Sequence, residues 1–337
     1  MQKYSLFIGI DISKKWFDAA LCYQGNTRQM PHAQFKQTLS GYKSFVKWVK
    51  RTARKAGYQG KWIICMEHTG IYALRFCQFL DEANLSYVLD NPLRIKRSLG
   101  LRRGKNDKAD SMAIAEYAYR HCDELKQRRA LPNRLLLKLQ ALLSPRARLV
   151  KYQQGLLVAS KELVTCVDTD ISQLVSIPSE QVTATMKTSI KDIMKQVKTL
   201  IESDESLKKT YQLIHSVIGI GPVIAAYLLV YTNGFEAFQN ARQFASYIGI
   251  VPFDDTSGIS TNRAPEVSPI ANKRLKALLS NAAVTAIQHD PQIKTFFDRQ
   301  LLKGKEEGWI YNAVKNKLVH RVFKVVKRGT PYVKFQH

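Results

Sequence analysis

Two short apolar runs, SLFIGID and WIICME, each end on a carboxylate, Asp11 and Glu67. Apolar stretches of this length, bounded by turn-forming residues, predict buried strands, which need a sheet covered by other elements. WFDAALCYQ follows the ISKK turn as a hairpin partner of the first run. GYKSFVKWVKRTARKAG has the period of an amphipathic helix with a basic outer face, closed by Gly57. ALRFCQFLDEANL predicts another helix, YVLD a further short strand, and DSMAIAEYAYRHC a third helix. A strand pair followed by strand–helix alternation predicts a mixed α/β sheet domain over residues 1–130.

From 131 to 215 the pattern turns helical. In the second of two long runs, Ile190, Ile193, Val197, Leu200, Leu207, Tyr211 and Ile214 recur at three- and four-residue steps, and Asp204 interrupts the stripe. The Ser/Thr-rich stretch VDTDISQLVSIPSEQVTATM between the runs predicts a loop at the tip of a helical hairpin. This region fits either an ordinary helical domain or a coiled-coil-like linker for oligomerisation. Residues 216–337 form a third, mostly helical unit, punctuated by Gly and then basic. Its end, KNKLVHRVFKVVKRGTPYVKF, reads as an amphipathic helix and a tail.

Charge narrows the class of partner. The 337 residues carry 52 Lys+Arg against 27 Asp+Glu, a formal net charge of +25, which points to nucleic acid or an acidic membrane surface. No apolar run reaches the roughly 18 residues of a membrane span, and MQKYSLFIGIDIS lacks the apolar core of a signal peptide. Cys22, Cys65, Cys77, Cys122 and Cys166 form no CxxC pair, a pattern that suits reduced thiols. The expectation is a cytoplasmic nucleic-acid protein without a membrane partner.

Asp107 and Asp110 stand three apart at the start of a helix and so share a face. Capping is the plainer role for that pair, because a helix N-terminus favours negative charge. Two acids at the ends of buried strands plus this DxxD pair can, however, converge on one point, where divalent cations would hold them ionised together. Such a site can clamp the attacking and leaving oxygens of a phosphodiester. The adjoining segment RIKRSLGLRRGKNDK holds Arg94, Lys96, Arg97, Arg102, Arg103, Lys105 and Lys108, with Asp107 its only acid. A cationic loop beside a carboxylate cluster is what binding a phosphate backbone requires.

Farther on, Ile218-Gly219-Ile220-Gly221 lies between helical runs, like the turn of a helix-hairpin-helix motif; a plain tight turn is the alternative. In FASYIGIVPFDDTSGIST, the turn-forming run DDTSGIST sets Ser257 before Gly258. Lys273 and Arg274 open a later helix. A serine there needs a carboxylate or a metal site to take its proton, since no histidine is placed as a base.

In order along the chain, GIDISKKWFDAAL, MEHTGIYAL, NPLRIKRSLGLRRGKNDKADSMAIAEYA, IGIGPVIAAYLL, ASYIGIVPFDDTSGIS and VSPIANKRLKALLSNAA resemble the DEDD-type transposases of insertion sequences related to Piv invertases. Later-recognised members of that family are bridge-RNA-guided recombinases. The resemblance covers nearly the whole chain. It implies a RuvC-like domain of the ribonuclease-H type, with Asp11, Glu67, Asp107 and Asp110 binding Mg2+. It implies a helical linker, and a C-terminal transposase domain with Ser257 as the nucleophile that links covalently to DNA. Two protomers would build each composite site within a tetramer, and a structured non-coding guide RNA would pair with target and donor DNA; the expected assembly is a homo-oligomer, dimer or tetramer. A bacterial, nucleoid-associated setting follows from the same likeness. KNDKADS stands where KTDKADA is more usual, and TNRAPEV replaces a Gly- and Arg-rich run that many relatives carry.

Three other readings compete. A RuvC-like endonuclease would hydrolyse junctions with metal-activated water and leave Ser257 a turn residue. An actin-like ATPase or sugar kinase shares a GIDIS-like first strand, but lacks here a later Gly-rich adenosine segment. An inactive RNA-binding scaffold would not need all four acids.

Overall fold

The computed structural model describes residues 4–23, 26–27, 29–58, 60–67, 70–90, 92–98, 106–123, 125, 133–257, 261–267 and 271–333. The chain divides into two compact units, Met1–Leu131 and Pro132–His337.

The first unit is built on β1 (Leu6–Ile12), β2 (Trp16–Tyr23), β3 (His32–Lys36), α1 (Leu39–Lys55), β4 (Trp62–Glu67), α2 (Leu74–Glu82), β5 (Tyr87–Asp90), α3 (Pro92–Ser98) and α4 (Asp107–Arg120). The sheet order is β3-β2-β1-β4-β5. The hairpin pairs are antiparallel, whereas β4 runs parallel to β1 and β5 parallel to β4. The sheet is therefore mixed, as the strand pair and strand–helix alternation predict. Because side chains alternate across a strand, Leu6, Ile8, Ile10 and Ile12 enter one apolar cluster with Phe17, Phe45 and Phe76. Phe7 enters another with Ala20, Cys65, Val88 and Ala115. Both faces are covered, which is why β1 and β4 read as unbroken apolar runs. β3 carries no such signal: HAQFK is half-exposed at the sheet edge and lacks an apolar run.

The second unit begins with two long helices, α5 (Arg134–Cys166) and α6 (Thr169–Glu202). The predicted Ser/Thr-rich loop is not there; only Val167 and Asp168 separate the helices. Its hydroxyls bond back to carbonyls three or four residues earlier, as in Ser172 to Thr169, Ser179 to Val175 and Thr185 to Gln181. Each hydroxyl shares a carbonyl of its own helix, so it is satisfied without breaking the helix into a loop.

α7 (Glu205–His215), α8 (Pro222–Tyr231), α9 (Ala241–Ile248), α10 (Lys273–His289), α11 (Pro291–Leu302) and α12 (Glu307–Arg328) share one apolar core with the start of α5 and the end of α6. The Tyr227 hydroxyl donates to the Leu143 carbonyl at 3.0 Å, fastening α8 to α5. β6 (Pro252–Ser257) and β7 (Thr261–Val267) form an antiparallel hairpin within this otherwise helical unit. Residues 252–257, read from sequence partly as a turn, are thus a strand.

Among the described residues no helix is long and apolar enough to cross a membrane. Cys22, Cys65 and Cys77 are buried free thiols, whereas Cys166 is exposed at the end of α5. Burial pushes the Cys22 thiol up to about 11.

Candidate active site

Strand register brings the first two acids together. Ile10 lies beside Met66 on the parallel neighbour, so Asp11 and Glu67, the next residues, leave the sheet at the same edge. Alternation places Asp11 on the face of Phe7 and Gly9, the face against which α4 packs. The Phe7 ring meets Tyr119 edge-on at 5.5 Å between centroids. Gly9 faces the previous turns of that helix: a Cβ on Gly9 would stand 2.2 Å from both the Ser111 carbonyl oxygen and the Ala115 nitrogen. As β1 advances from Phe7 to Gly9, its contacts step back along α4. The next step brings Asp11 under the first turn, where Asp107 and Asp110 stand. Asn106 holds that turn, its side chain accepting from the Ala109 amide at 2.7 Å.

The electrostatics agree with this placement. The Asp11 carboxyl is raised from its usual 3.8 to about 6, first by burial and then by the negative fields of Asp110, Asp107, Glu67 and Asp18. Four other carboxylates thus act on one half-buried acid. Among the described residues no three Asp, Glu, His or Cys side chains are gathered tightly enough to hold an ion as they stand.

Two further acids share this edge and face, and neither is singled out by the sequence pattern. Asp18 lies directly across from Asp11 on β2. It is buried, with His32 Nε2 at 2.7 Å and the Gln34 amide donating at 2.9 Å. Its signal was available: one acid inside the apolar run WFDAALCY. Asp90 ends β5 beside Glu67, accepts from the Tyr117 hydroxyl at 2.7 Å and lies 3.8 Å from Arg94. Among the basic candidates, Arg94, Lys96 and Arg97 lie on α3 and are exposed. Arg102, Arg103 and Lys105 fall outside the described residues.

In the second unit, Gly219 and Gly221 lie in the connection between α7 and α8. Gly219 has φ +93°, and a Cβ there would meet the Ala282 carbonyl oxygen at 2.5 Å. Close packing on α10 therefore accounts for this glycine. Gly221 caps α8, with open space before it. Ser257 ends β6 opposite Thr261; the hairpin tip, 258–260, lies outside the described residues. Lys273 and Arg274 open α10, and the Arg274 guanidinium lies 5.2 Å from the Tyr227 ring centroid.

Comparison with known proteins matches both parts of the chain. Residues 8–164 fit the profile of the DEDD-type IS110 transposases, and residues 211–298 that of the transposase IS116/IS110/IS902 family. The chain is 27% identical to the pilin gene-inverting protein of Moraxella bovis over 98% of both chains, and equally so to that of Moraxella lacunata. A 43.6 kDa protein of insertion element IS110 from Streptomyces coelicolor is 30% identical over 36% of this chain and 29% of its own. The two transposase profiles, together with the gene-inverting relatives matched over nearly their whole length, define a DNA transposase or recombinase. Within that class, the chain belongs to the IS110 family.

Proposed function

We propose that the chain is the RNA-guided recombinase of an insertion sequence, with Asp11, Glu67, Asp107 and Asp110 as Mg2+ ligands and Ser257 as nucleophile. The observation that carries this reading is the field at Asp11, where acids from β1, β4 and α4 act together although they are far apart in sequence. Carboxylates whose fields raise the proton affinity of a half-buried neighbour are a cost to the fold unless cations neutralise them. The donor set is all oxygen and anionic, which fits a hard divalent ion such as Mg2+. When bound, such ions stabilise charge on the attacking and leaving oxygens of a phosphodiester.

In this reading residues 1–130 form a RuvC-like, ribonuclease-H-type domain, 131–215 a coiled-coil-like linker, and 216–337 the transposase domain with a helix-hairpin-helix-like turn. The Ser257 hydroxyl loses its proton and attacks phosphorus. One P–O bond forms to serine as another breaks, and the departing deoxyribose oxygen takes up a proton. Attack by a second strand's hydroxyl then reverses the link and frees the serine. Arg94, Lys96, Arg97, Arg102, Arg103, Lys105, Gly219, Gly221, Lys273 and Arg274 contact phosphates of target DNA, donor DNA or the structured non-coding guide RNA. Exposed Val158, Val164, Ile171, Leu174 and Ile177 around the α5–α6 tip support a homodimer or tetramer. The protein would act in the bacterial cytoplasm, at the nucleoid.

Ser257→Ala tests the nucleophile: strand exchange and the denaturant-stable protein–DNA adduct should both vanish while RNA binding persists. Recombination by this variant would refute the serine's role. Cleavage without any adduct in the unaltered protein would instead identify a hydrolytic endonuclease.

A further inference from the structure

The strongest unassigned feature lies at the other end of the same strands. α1 carries Lys43, Lys47, Lys50, Arg51, Arg54 and Lys55, and no acid. These side chains are exposed or half-exposed, and none forms an ion pair with another described residue. Lys43, Lys47, Lys50 and Arg54 fall at i, i+4, i+7 and i+11, one stripe about 16 Å long at 1.5 Å per residue.

The stripe runs into a cavity of about 380 Å³ lined by Lys50, Arg54, Tyr58 and Trp62 over a floor of Leu6 and Val49. The volume lies in the roughly 300–1,000 Å³ range of small-ligand sites. Tyr58 and Trp62 are half-buried, and the Tyr58 ring is stacked on Tyr23 at 4.4 Å, which fixes its plane. Leu6 and Trp62 begin β1 and β4, whereas Asp11 and Glu67 stand at the opposite ends of those strands. Five residues of strand set Leu6 about 17 Å from Asp11.

We propose that this cavity and the α1 stripe bind a single-stranded polynucleotide, one base entering between Tyr58 and Trp62 while its flanking phosphates follow the cations toward Lys43. A row of cations beside aromatic rings matches the two chemistries of a nucleotide strand, charged backbone and flat base. A duplex keeps its bases stacked and paired, so only an unpaired strand can offer one to a cleft. The site goes beyond the proposed function, because it needs neither Mg2+ nor Ser257.

The test uses the full chain in EDTA, which silences metal-dependent chemistry, with labelled 12-nucleotide oligouridine and oligothymidine as probes. Lys50→Ala/Arg54→Ala changes only side chains on the outer face of α1. It should weaken binding tenfold or more and reduce the slope of log K against log salt by about 1.4, at about 0.7 for each phosphate no longer neutralised. Photo-cross-linking with 5-bromouracil oligonucleotides should place adducts on Tyr58 or Trp62. Tighter binding of oligouridine assigns the site to RNA, and of oligothymidine to unpaired DNA; either supports the proposal. Variant affinities within twofold of the unaltered protein's for both probes, with cross-links confined to other segments, would overturn it. So would loss of binding to phosphatidylserine vesicles alone. None of these outcomes depends on strand exchange, so the acid and serine assignments stand or fall separately.

Discussion

At their carboxyl ends β1, β4 and β5 present Asp11, Glu67 and Asp90, with Asp18 alongside on β2. Beside the amino ends of β1 and β4 lies the cavity lined by Lys50 and Arg54 of α1 with Tyr58 and Trp62. The strands are shared, but the two ends hold their charge differently. The cations stand on an outer helix face, where water screens them and their mutual repulsion is small. The acids converge at a half-buried edge, where burial first and their mutual repulsion second raise the Asp11 carboxyl. A folded chain tolerates the first arrangement readily and the second only at a cost in stability, so crowding of like charge marks a site more strongly than its number does.

Asp11→Asn should break this contrast most sharply. It removes one proposed ligand and the repulsion together, so DNA cleavage should fall by about 10³-fold or more while thermal stability at pH 7 rises. A variant that cleaves normally would detach the acid edge from catalysis.

Gly9→Ala strikes the same edge through packing. The added methyl meets backbone of α4 at 2.2 Å, so the helix must shift and carry Asp107 and Asp110 with it. Urea denaturation should show a loss of about 1–3 kcal/mol, with cleavage impaired and α1-dependent oligonucleotide binding retained.

Acid titration sharpens the comparison further. Asp11 keeps its proton to about pH 6 in the folded chain and to about its ordinary 3.8 when unfolded. Between those values the folded state binds more protons, so stability falls as pH rises from about 4 to about 6 and is level above. Allowing for the solvent screening of a half-exposed group, the drop is on the order of 1–2 kcal/mol. The difference between the unaltered protein and Asp11→Asn, measured by urea midpoints at each pH, isolates it. Smallest is Asn106→Ala, which removes the cap of α4 and should cost about 1 kcal/mol. Amide exchange should then quicken in the turn bearing Asp107 and Asp110.

Much of the sheet was legible because burial on both faces writes itself as continuous apolar residues in β1, β2 and β4. Edge strand β3 left no such trace. The Ser/Thr-rich stretch misled for a different reason: composition cannot tell a hydroxyl that caps a turn from one bonded back into its own helix. Asp11, Glu67, Asp107 and Asp110 stood out by position, each at the boundary of an element. Asp18 inside WFDAALCY and Asp90 at the end of YVLD were visible as acids of strands, but register is what sets them beside Asp11 and Glu67, since whether an acid faces its neighbours or solvent depends on which strand lies beside it. Gly219 shows the same dependence: its glycine pair read as a phosphate-binding turn, and the packing on α10 that also requires it came from a segment more than sixty residues away.

The contrast among the cysteines offers a practical handle. Cys22, Cys65 and Cys77 are sealed in the sheet unit, while Cys166 sits in the open at the α5–α6 break. A maleimide spin label should react there well ahead of those three. Dipolar spectroscopy between labelled copies would then report, as a distance distribution, whether the helical tips of neighbouring protomers meet or point apart.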